Sequence, residues 1–286
     1  MILAPVKQDW SAAAEIRLTP GEFTQVRELV RRGFGLNLQA GKETLVAARL
    51  SKQIRAGGFR SFAEYFRHVS SDLSGEPLIA LIDALTTNHT GFMRERQHFQ
   101  YLMRVVLPRY LDRPQLSIWS AASSSGEEPY SILFTLLHSL ADRPAPKISI
   151  LATDISTRVL AAARRAVYPT GRLTGLPNGW LRRFLEKEEG QSAYRVRADV
   201  ARQVTFRRLN LMEPFATIGR FPIIFCRNVM IYFDHHTREE LVLRLVERLE
   251  PGGYLFVGHA ESLLNIAHGL EYVGPAVYRR SFLGPK

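Results

Sequence analysis

After Leu116 the chain changes grammar, and that change limits the folds open to it. Short apolar, β-branched runs, LSIWSA, ISILAT, VTFRRL, PIIFC and YLFVGH, alternate with helical stretches. Continuous apolar runs suit strands covered on both faces. Their alternation with helices points to a doubly wound, mostly parallel α/β sheet. The first 85 residues show no strand pattern and read as helices. Thr19-Pro20-Gly21-Glu22 is a capping box with proline at the first helical position, and Ser61-Phe62-Ala63-Glu64 is another, opening a third helix. The first helix is predicted to stop near Gly33 and Gly35, the second to run from about Lys42 to Gly57 and Gly58, and a fourth to cover residues 77–85. The expected organisation is a small all-α domain over residues 1–85, a linker and bridging helix over 86–115, and a sheet domain over 116–286. The bridging helix itself is placed from about Glu95 to Tyr110. Residues 168–203 interrupt the alternation; with Pro169, Gly171, Gly175, Pro177 and Gly190 they read as a small inserted subdomain.

Composition narrows the function classes. At 46% hydrophobic and 23% charged residues, a 286-residue chain can build an ordinary core and is neither fibrous nor disordered. The single cysteine, Cys226, excludes an internal disulfide and a Cys-based metal cluster. No apolar run reaches 18 residues, so no membrane span is expected, and the start MILAPVKQDWS lacks the form of a signal peptide. The expected address is the cytoplasm. A net charge of +11 calls for an acidic partner: nucleic acid, anionic lipid or an acidic protein. Residues 158–208 hold twelve Lys/Arg against four Asp/Glu, which reads either as a solvated surface or as a docking face beside a site.

Four stretches carry candidate chemistry. Strand LSIWSA runs into the small-residue turn ASSSGEEPYS, residues 122–131. In a doubly wound sheet a nucleotide-like ligand sits at such a turn. The glycine pattern GxGxxG is absent, and Glu127 and Glu128 stand where a pyrophosphate would bind. This argues against NAD and FAD and favours a ligand with a sulfonium, an ammonium and ribose hydroxyls; the alternative is that both carboxylates oppose the helix dipole. Asp154, at the end of ISILATD, can accept ribose hydroxyls or cap the next helix. After PIIFC comes RNVMIYFD, residues 227–234, in which Asn228 can hydrogen-bond a ligand and Tyr232 can orient a carboxyl, stack on a ring or simply pack. At the boundary, TTNHTGFMRE, residues 86–95, offers Asn88, Thr90 and Arg94 as a carboxylate clamp, or Asn88 and Thr90 as helix caps.

Together these stretches resemble the chemotaxis-receptor methyltransferase family, the CheR type. The family's ordered motifs match residues 86–95, 119–131, 152–156, 209–211 and 224–234, with VGHAES at 257–262 as a further one. The similarity runs from about Thr19 to Phe282. It implies a class I methyltransferase-like sheet and a protein-glutamate O-methyltransferase that uses S-adenosylmethionine, yields S-adenosylhomocysteine and needs no metal. It also implies roles. Asn88, Thr90 and Arg94 would lie near the methionine part of the cofactor, and Glu128 would contact it, with Glu127 its neighbour. Asp154 would bind the ribose hydroxyls, and Asn210 and Leu211 would flank the adenine. Arg227 and Asn228 would close the pocket. Tyr232 would sit beside the transferred methyl, and Arg94 would also steer the incoming carboxylate.

By the same resemblance the partner is the cytoplasmic domain of a methyl-accepting chemoreceptor, a helical coiled coil with methylatable glutamates. Nucleic acid is not expected, and the membrane is reached only through the receptor. Arg227-Asn228-Val229-Met230 stands where amino-methylating enzymes often carry [ND]-P-P-[YF]. The helix over residues 42–56 offers Arg49, Lys52 and Arg55 broadly opposite Val46, Leu50 and Ile54, as a substrate-binding face or a solvated one. One departure stands out: the loop over residues 186–194 has a single glycine, where relatives that dock a receptor C-terminal pentapeptide have a glycine-rich loop. Pentapeptide tethering is therefore not expected. The rival readings are a cofactor-binding module without activity and a nucleic-acid methyltransferase, the latter supported by charge alone.

Overall fold

The computed structural model describes residues 16–72, 75–86, 90–141 and 144–282. They form two compact units, one from residues up to 30 with 38–85, the other from 31–37 with 86 onward.

The first unit is helical: α1 (Pro20–Phe34, whose last turn belongs to the second unit), α2 (Glu43–Ala56), α3 (Phe62–Ser71) and α4 (Glu76–Leu85). Local chemistry sets the helix starts. The Glu22 N–H donates to Thr19 Oγ1 at 3.3 Å while the Thr19 N–H donates to Glu22 Oε2 at 2.8 Å, both halves of a capping box. Ser61 caps α3 by accepting from the Glu64 N–H at 3.1 Å, but the Glu64 carboxylate reaches past it to the Arg60 N–H at 2.8 Å. Val46, Leu50 and Ile54 of α2 and Phe62, Phe66 and Val69 of α3 are buried at the spacing of one helix face. Each such side chain contributes about 1.5–3 kcal/mol on full burial.

The second unit is built on a sheet. Helix α5 (Arg96–Tyr101) continues as a π turn over Leu102–Val106 and a 3₁₀ turn over Leu107–Tyr110. Pro108, which has no N–H and crowds the carbonyl four residues back, accounts for the loss of regular α geometry. Then come β1 (Gln115–Ala121), α6 (Glu127–Ser139), β2 (Lys147–Asp154) and α7 (Thr157–Arg165). The insertion follows, as β3 (Val167–Pro169), α8 (Trp180–Phe184), β4 (Leu185–Lys187), β5 (Ala193–Val196) and α9 (Ala198–Ala201). The chain returns through β6 (Val204–Arg208), β7 (Phe221–Cys226), α10 (His235–Arg248), β8 (Leu249–Val257), β9 (Leu270–Gly274) and β10 (Val277–Arg280).

The main sheet has the order β6-β2-β1-β7-β8-β10-β9. Its pairs are parallel from β6 to β8, and β10 is antiparallel to both β8 and β9. The insertion carries its own antiparallel sheet, β3-β5-β4. The doubly wound, mostly parallel sheet is thus present, with an antiparallel edge that the sequence patterning did not reveal. Strand order reverses between β1 and β7, the place where such sheets bind ligands beyond their carboxyl ends. Register brings the tips level: Ala121 pairs with Thr153 and with Cys226, and Cys226 pairs with Val257. The turns after β1, β2, β7 and β8 therefore open side by side.

Candidate functional site

Left-handed backbone occurs in the turns after β1 and β7 and in the stretch before α5. Ala122, Ser124 and Asn228 adopt left-handed φ values of 60°, 48° and 57°, and Met93 and Glu95 each have 57°. A residue with a Cβ adopts this conformation at a cost, and surrounding contacts must hold it there. Gly126, at the start of α6, has φ 96°, and a Cβ on it would fall 2.8 Å from the Tyr168 hydroxyl. Only glycine lets the insertion approach the turn this closely.

A buried charge cluster spans three turns. Arg227 is 5% exposed. Its Nη1 lies 3.0 Å from Glu128 Oε2, and its Nη2 lies 2.9 Å from Glu95 Oε2 and donates to the Arg94 carbonyl at 2.6 Å. The Ser120 hydroxyl donates to Glu128 Oε1 at 2.8 Å, and Asn228 Nδ2 donates to Glu95 Oε1 at 3.1 Å. Burial raises the Glu128 carboxyl above the usual carboxylate range, against the pull of Arg227. Burial also acts to raise Glu95, but Arg227, Asn228 and His98 outweigh it and hold that carboxyl down at about 2. His98 is lowered to about 4, by burial first and then by Arg227.

The paired glutamates of the first turn face different ways. Glu128 belongs to the Arg227 cluster. Glu127 is fully buried, receives the Ser125 hydroxyl at 2.7 Å and lies 3.2 Å from Arg172 of the insertion. Both also sit in the first turn of α6, where negative charge complements the helix dipole.

Asp154 ties two turns together. Its Oδ2 accepts from the Ser124 N–H at 2.8 Å and its Oδ1 from the Ser156 N–H at 3.0 Å. The cap of α7 is Ser156, which accepts from the Val159 N–H at 3.3 Å. Next to Asp154, in the turn after β1, the Ser123 and Ser124 hydroxyls are buried with no hydrogen-bond partner among the described residues. Buried hydroxyls are ordinarily paired, so these two leave hydrogen-bonding capacity unused beside Asp154.

Asn210 and Leu211 follow β6. Asn210 Nδ2 donates to the Gly33 carbonyl at 3.0 Å, its Oδ1 accepts from the Met212 N–H at 3.0 Å, and Leu211 is buried. Tyr232 ends a 3₁₀ turn after β7, and its carbonyl accepts from the Asn37 N–H at 2.8 Å. Thr90 and Arg94 are half-buried, and Asn88 lies outside the described residues. On α2, Lys52 and Arg55 are exposed. Arg49, expected on the same face, is half-buried and donates through Nη1 to the Leu85 carbonyl that ends α4.

The structure thus joins Glu128, Arg227 and Asn228 in one cluster, with the Arg94 backbone on it, and sets Asp154 against the turn leading to Glu128. Two members escaped sequence reasoning. Glu95 lies inside a quoted motif, next to Arg94. Ser120 shows only as a polar residue within an apolar strand.

Residues 88–278 match the family described as CheR methyltransferase, SAM binding domain, and residues 21–86 match CheR methyltransferase, all-alpha domain. Chemotaxis protein methyltransferase 2 of Pseudomonas aeruginosa is 41% identical over 267 residues, covering 92% of this chain and 94% of that protein. The chemotaxis protein methyltransferase of Borreliella burgdorferi is 38% identical over 274 residues, covering 93% and 96%. That of Escherichia coli is 36% identical over 269 residues, covering 93% of each. With matches that span both the helical residues and the sheet, the chain belongs to the chemotaxis protein methyltransferase family and is a methyltransferase with an S-adenosylmethionine-binding domain.

Proposed function

We propose that the enzyme esterifies glutamate side chains on the cytoplasmic helices of a methyl-accepting chemoreceptor, using S-adenosylmethionine and releasing S-adenosylhomocysteine. The observation that carries this reading is the chemistry of the strand tips at the sheet's switch point. Carboxylates and orphaned hydroxyls stand there in place of a glycine-rich phosphate cradle. Such a set suits a cationic ligand with ribose hydroxyls. Asp154, at the tip of β2 against the Ser124 turn, would receive the ribose hydroxyls. Glu128, Arg227 and Asn228 would form the wall beside it, with Asn210 and Leu211 at the adenine and Asn88, Thr90 and Arg94 at the methionine end.

Bound S-adenosylmethionine supplies an electrophilic methyl on a sulfonium. The acceptor carboxylate is already ionised at neutral pH, so no general base has to remove a proton. What the chain contributes is placement. Arg94 steers the acceptor carboxylate, and Tyr232 orients it. The receptor helix is acidic and the chain carries +11, so encounter is accelerated by long-range attraction and slowed by salt. Lys52 and Arg55 form the exposed basic part of α2 available to that helix. The reaction would run in the cytoplasm, with the membrane reached only through the receptor.

Two measurements test the reading. Calorimetry with S-adenosylmethionine should show saturable binding that Asp154→Ala weakens at least about tenfold, the equivalent of one charged hydrogen bond of about 1.5–3 kcal/mol. Arg94→Ala and Tyr232→Phe should lower turnover on a receptor cytoplasmic fragment while leaving Tm unchanged. Full affinity and full turnover in all three variants would contradict it.

A further inference from the structure

Glu261 sits in the loop after β8, 1% exposed, and takes no part in the cofactor or substrate contacts assigned above. Its Oε2 accepts from the Gly258 N–H at 2.6 Å and the Asn228 N–H at 2.7 Å, and its Oε1 accepts from the Ile231 N–H at 3.3 Å. The Met230 backbone bonds the same carboxylate. A carboxylate taken this far from water is tolerated only where donors surround it, and here they are backbone amides. Three of the four belong to residues 228–231, the turn that delivers Tyr232.

That turn needs holding. Asn228 is left-handed at φ 57°, and its side chain donates to Glu95 Oε1 at 3.1 Å. Asn228 is thus fixed by two carboxylates, Glu95 on its amide side chain and Glu261 on its backbone. Gly258 completes the seat: a Cβ there would fall 2.5 Å from Asn228 Nδ2 and 2.7 Å from Glu261 Oε2. The level tips of β7 and β8, where Cys226 pairs with Val257, bring the two loops to this distance.

We propose that Glu261 is a positioning residue for methyl transfer: its carboxylate, seated on the backbone N–H groups of Asn228, Met230, Ile231 and Gly258, fixes the turn that presents Asn228 and Tyr232. The inference rests on the reading of that turn as the transfer end of the pocket. Its test uses the full chain. Glu261→Gln keeps the shape but turns one acceptor oxygen into an NH₂ that cannot accept from an N–H. Gly258→Ala disturbs the same contact from the other side. Each variant should speed amide hydrogen exchange in residues 227–234 at least tenfold, with other segments unchanged, and lower kcat/KM on a receptor fragment at least tenfold. Ile148→Ala, at the opposite end of the sheet, supplies a loss of Tm without either effect. Exchange over 227–234 in both variants no faster than in Ile148→Ala, or kcat/KM per folded molecule equal to wild type, would overturn the proposal. A wild-type chain that does not methylate the fragment would count against the substrate reading, and the exchange comparison would still decide the role of Glu261.

Discussion

In the helical unit polar groups cap helix ends, as Thr19 and Ser61 open α1 and α3 and the Arg49 guanidinium closes α4 on the Leu85 carbonyl, and Gln53 links α2 to Tyr65 of α3 and to the Ala80 carbonyl of α4. At the strand tips they work inside. Among the described residues, every buried polar or charged side chain lies in the sheet unit, including Arg227, Glu127, Glu261 and His98. The contrast is one of charge compensation. Apolar neighbours such as Val46, Leu50 and Ile54 are stabilised by burial without needing a partner of opposite charge, whereas Arg227, Glu95 and Glu128 compensate one another and stand or fall as a set.

The largest expected effect breaks that set. Arg227→Met leaves two carboxylates without their shared partner and should cost about 3–5 kcal/mol of stability by urea unfolding. Arg49→Met in the helical unit removes the charged hydrogen bond to the end of α4 and should cost about 1.5–3 kcal/mol. Equal losses would erase the distinction between the two regions.

A pH titration sharpens it. His98, 1% exposed, has its pKa lowered from the ordinary 6.5 to about 4, so the folded chain keeps it neutral while the unfolded chain protonates it. The associated stability is fully present above pH 6.5 and is lost as pH falls toward 4, a change on the order of 3 kcal/mol. Glu95, held at about 2, keeps its own contribution above its unfolded value of 4.5 and surrenders it only toward pH 2. His98 shares the window between pH 6.5 and 4 with His268, also lowered by burial, and with Glu128 and Glu261, whose carboxyls burial raises, so His98→Phe should reduce the loss of stability there without abolishing it. An unchanged curve would show that His98 does not titrate as its burial demands.

The smallest effects lie at the caps. Thr19→Ala and Ser61→Ala should each cost about 1 kcal/mol. Their counterpart at the strand tips is Ser156→Ala, and a much larger loss there would show that even the caps of the sheet unit belong to the coupled set.

The same contrast explains what the sequence made legible. Capping boxes and apolar strand runs are written within a few neighbouring residues, so α1, α3, β1, β2 and β7 follow from local pattern. Strands β9 and β10 do not, because they are short, carry Glu271, Arg279 and Arg280, and gain their order from the ladder with β8. Individual motifs marked Arg227, Asn228 and Glu128 as candidates. That Arg227 bridges Glu95 and Glu128 is a matter of contacts 132 and 99 residues apart in the chain. Likewise, the two adjacent glutamates of the first turn read alike in sequence, and only the placement of Arg172 and Arg227 separates their roles.

The most direct test of the central claim is the chemistry of the transferred methyl. Incubate the chain with methyl-labelled S-adenosylmethionine and, in parallel, an acidic receptor cytoplasmic fragment, the same fragment with its methylatable glutamates changed to alanine, and RNA and DNA. A protein-glutamate O-methyltransferase labels the first fragment alone, and mild alkali releases the label as methanol because an ester is cleaved. Label that survives alkali, or that appears on nucleic acid or on the alanine fragment, would contradict the account.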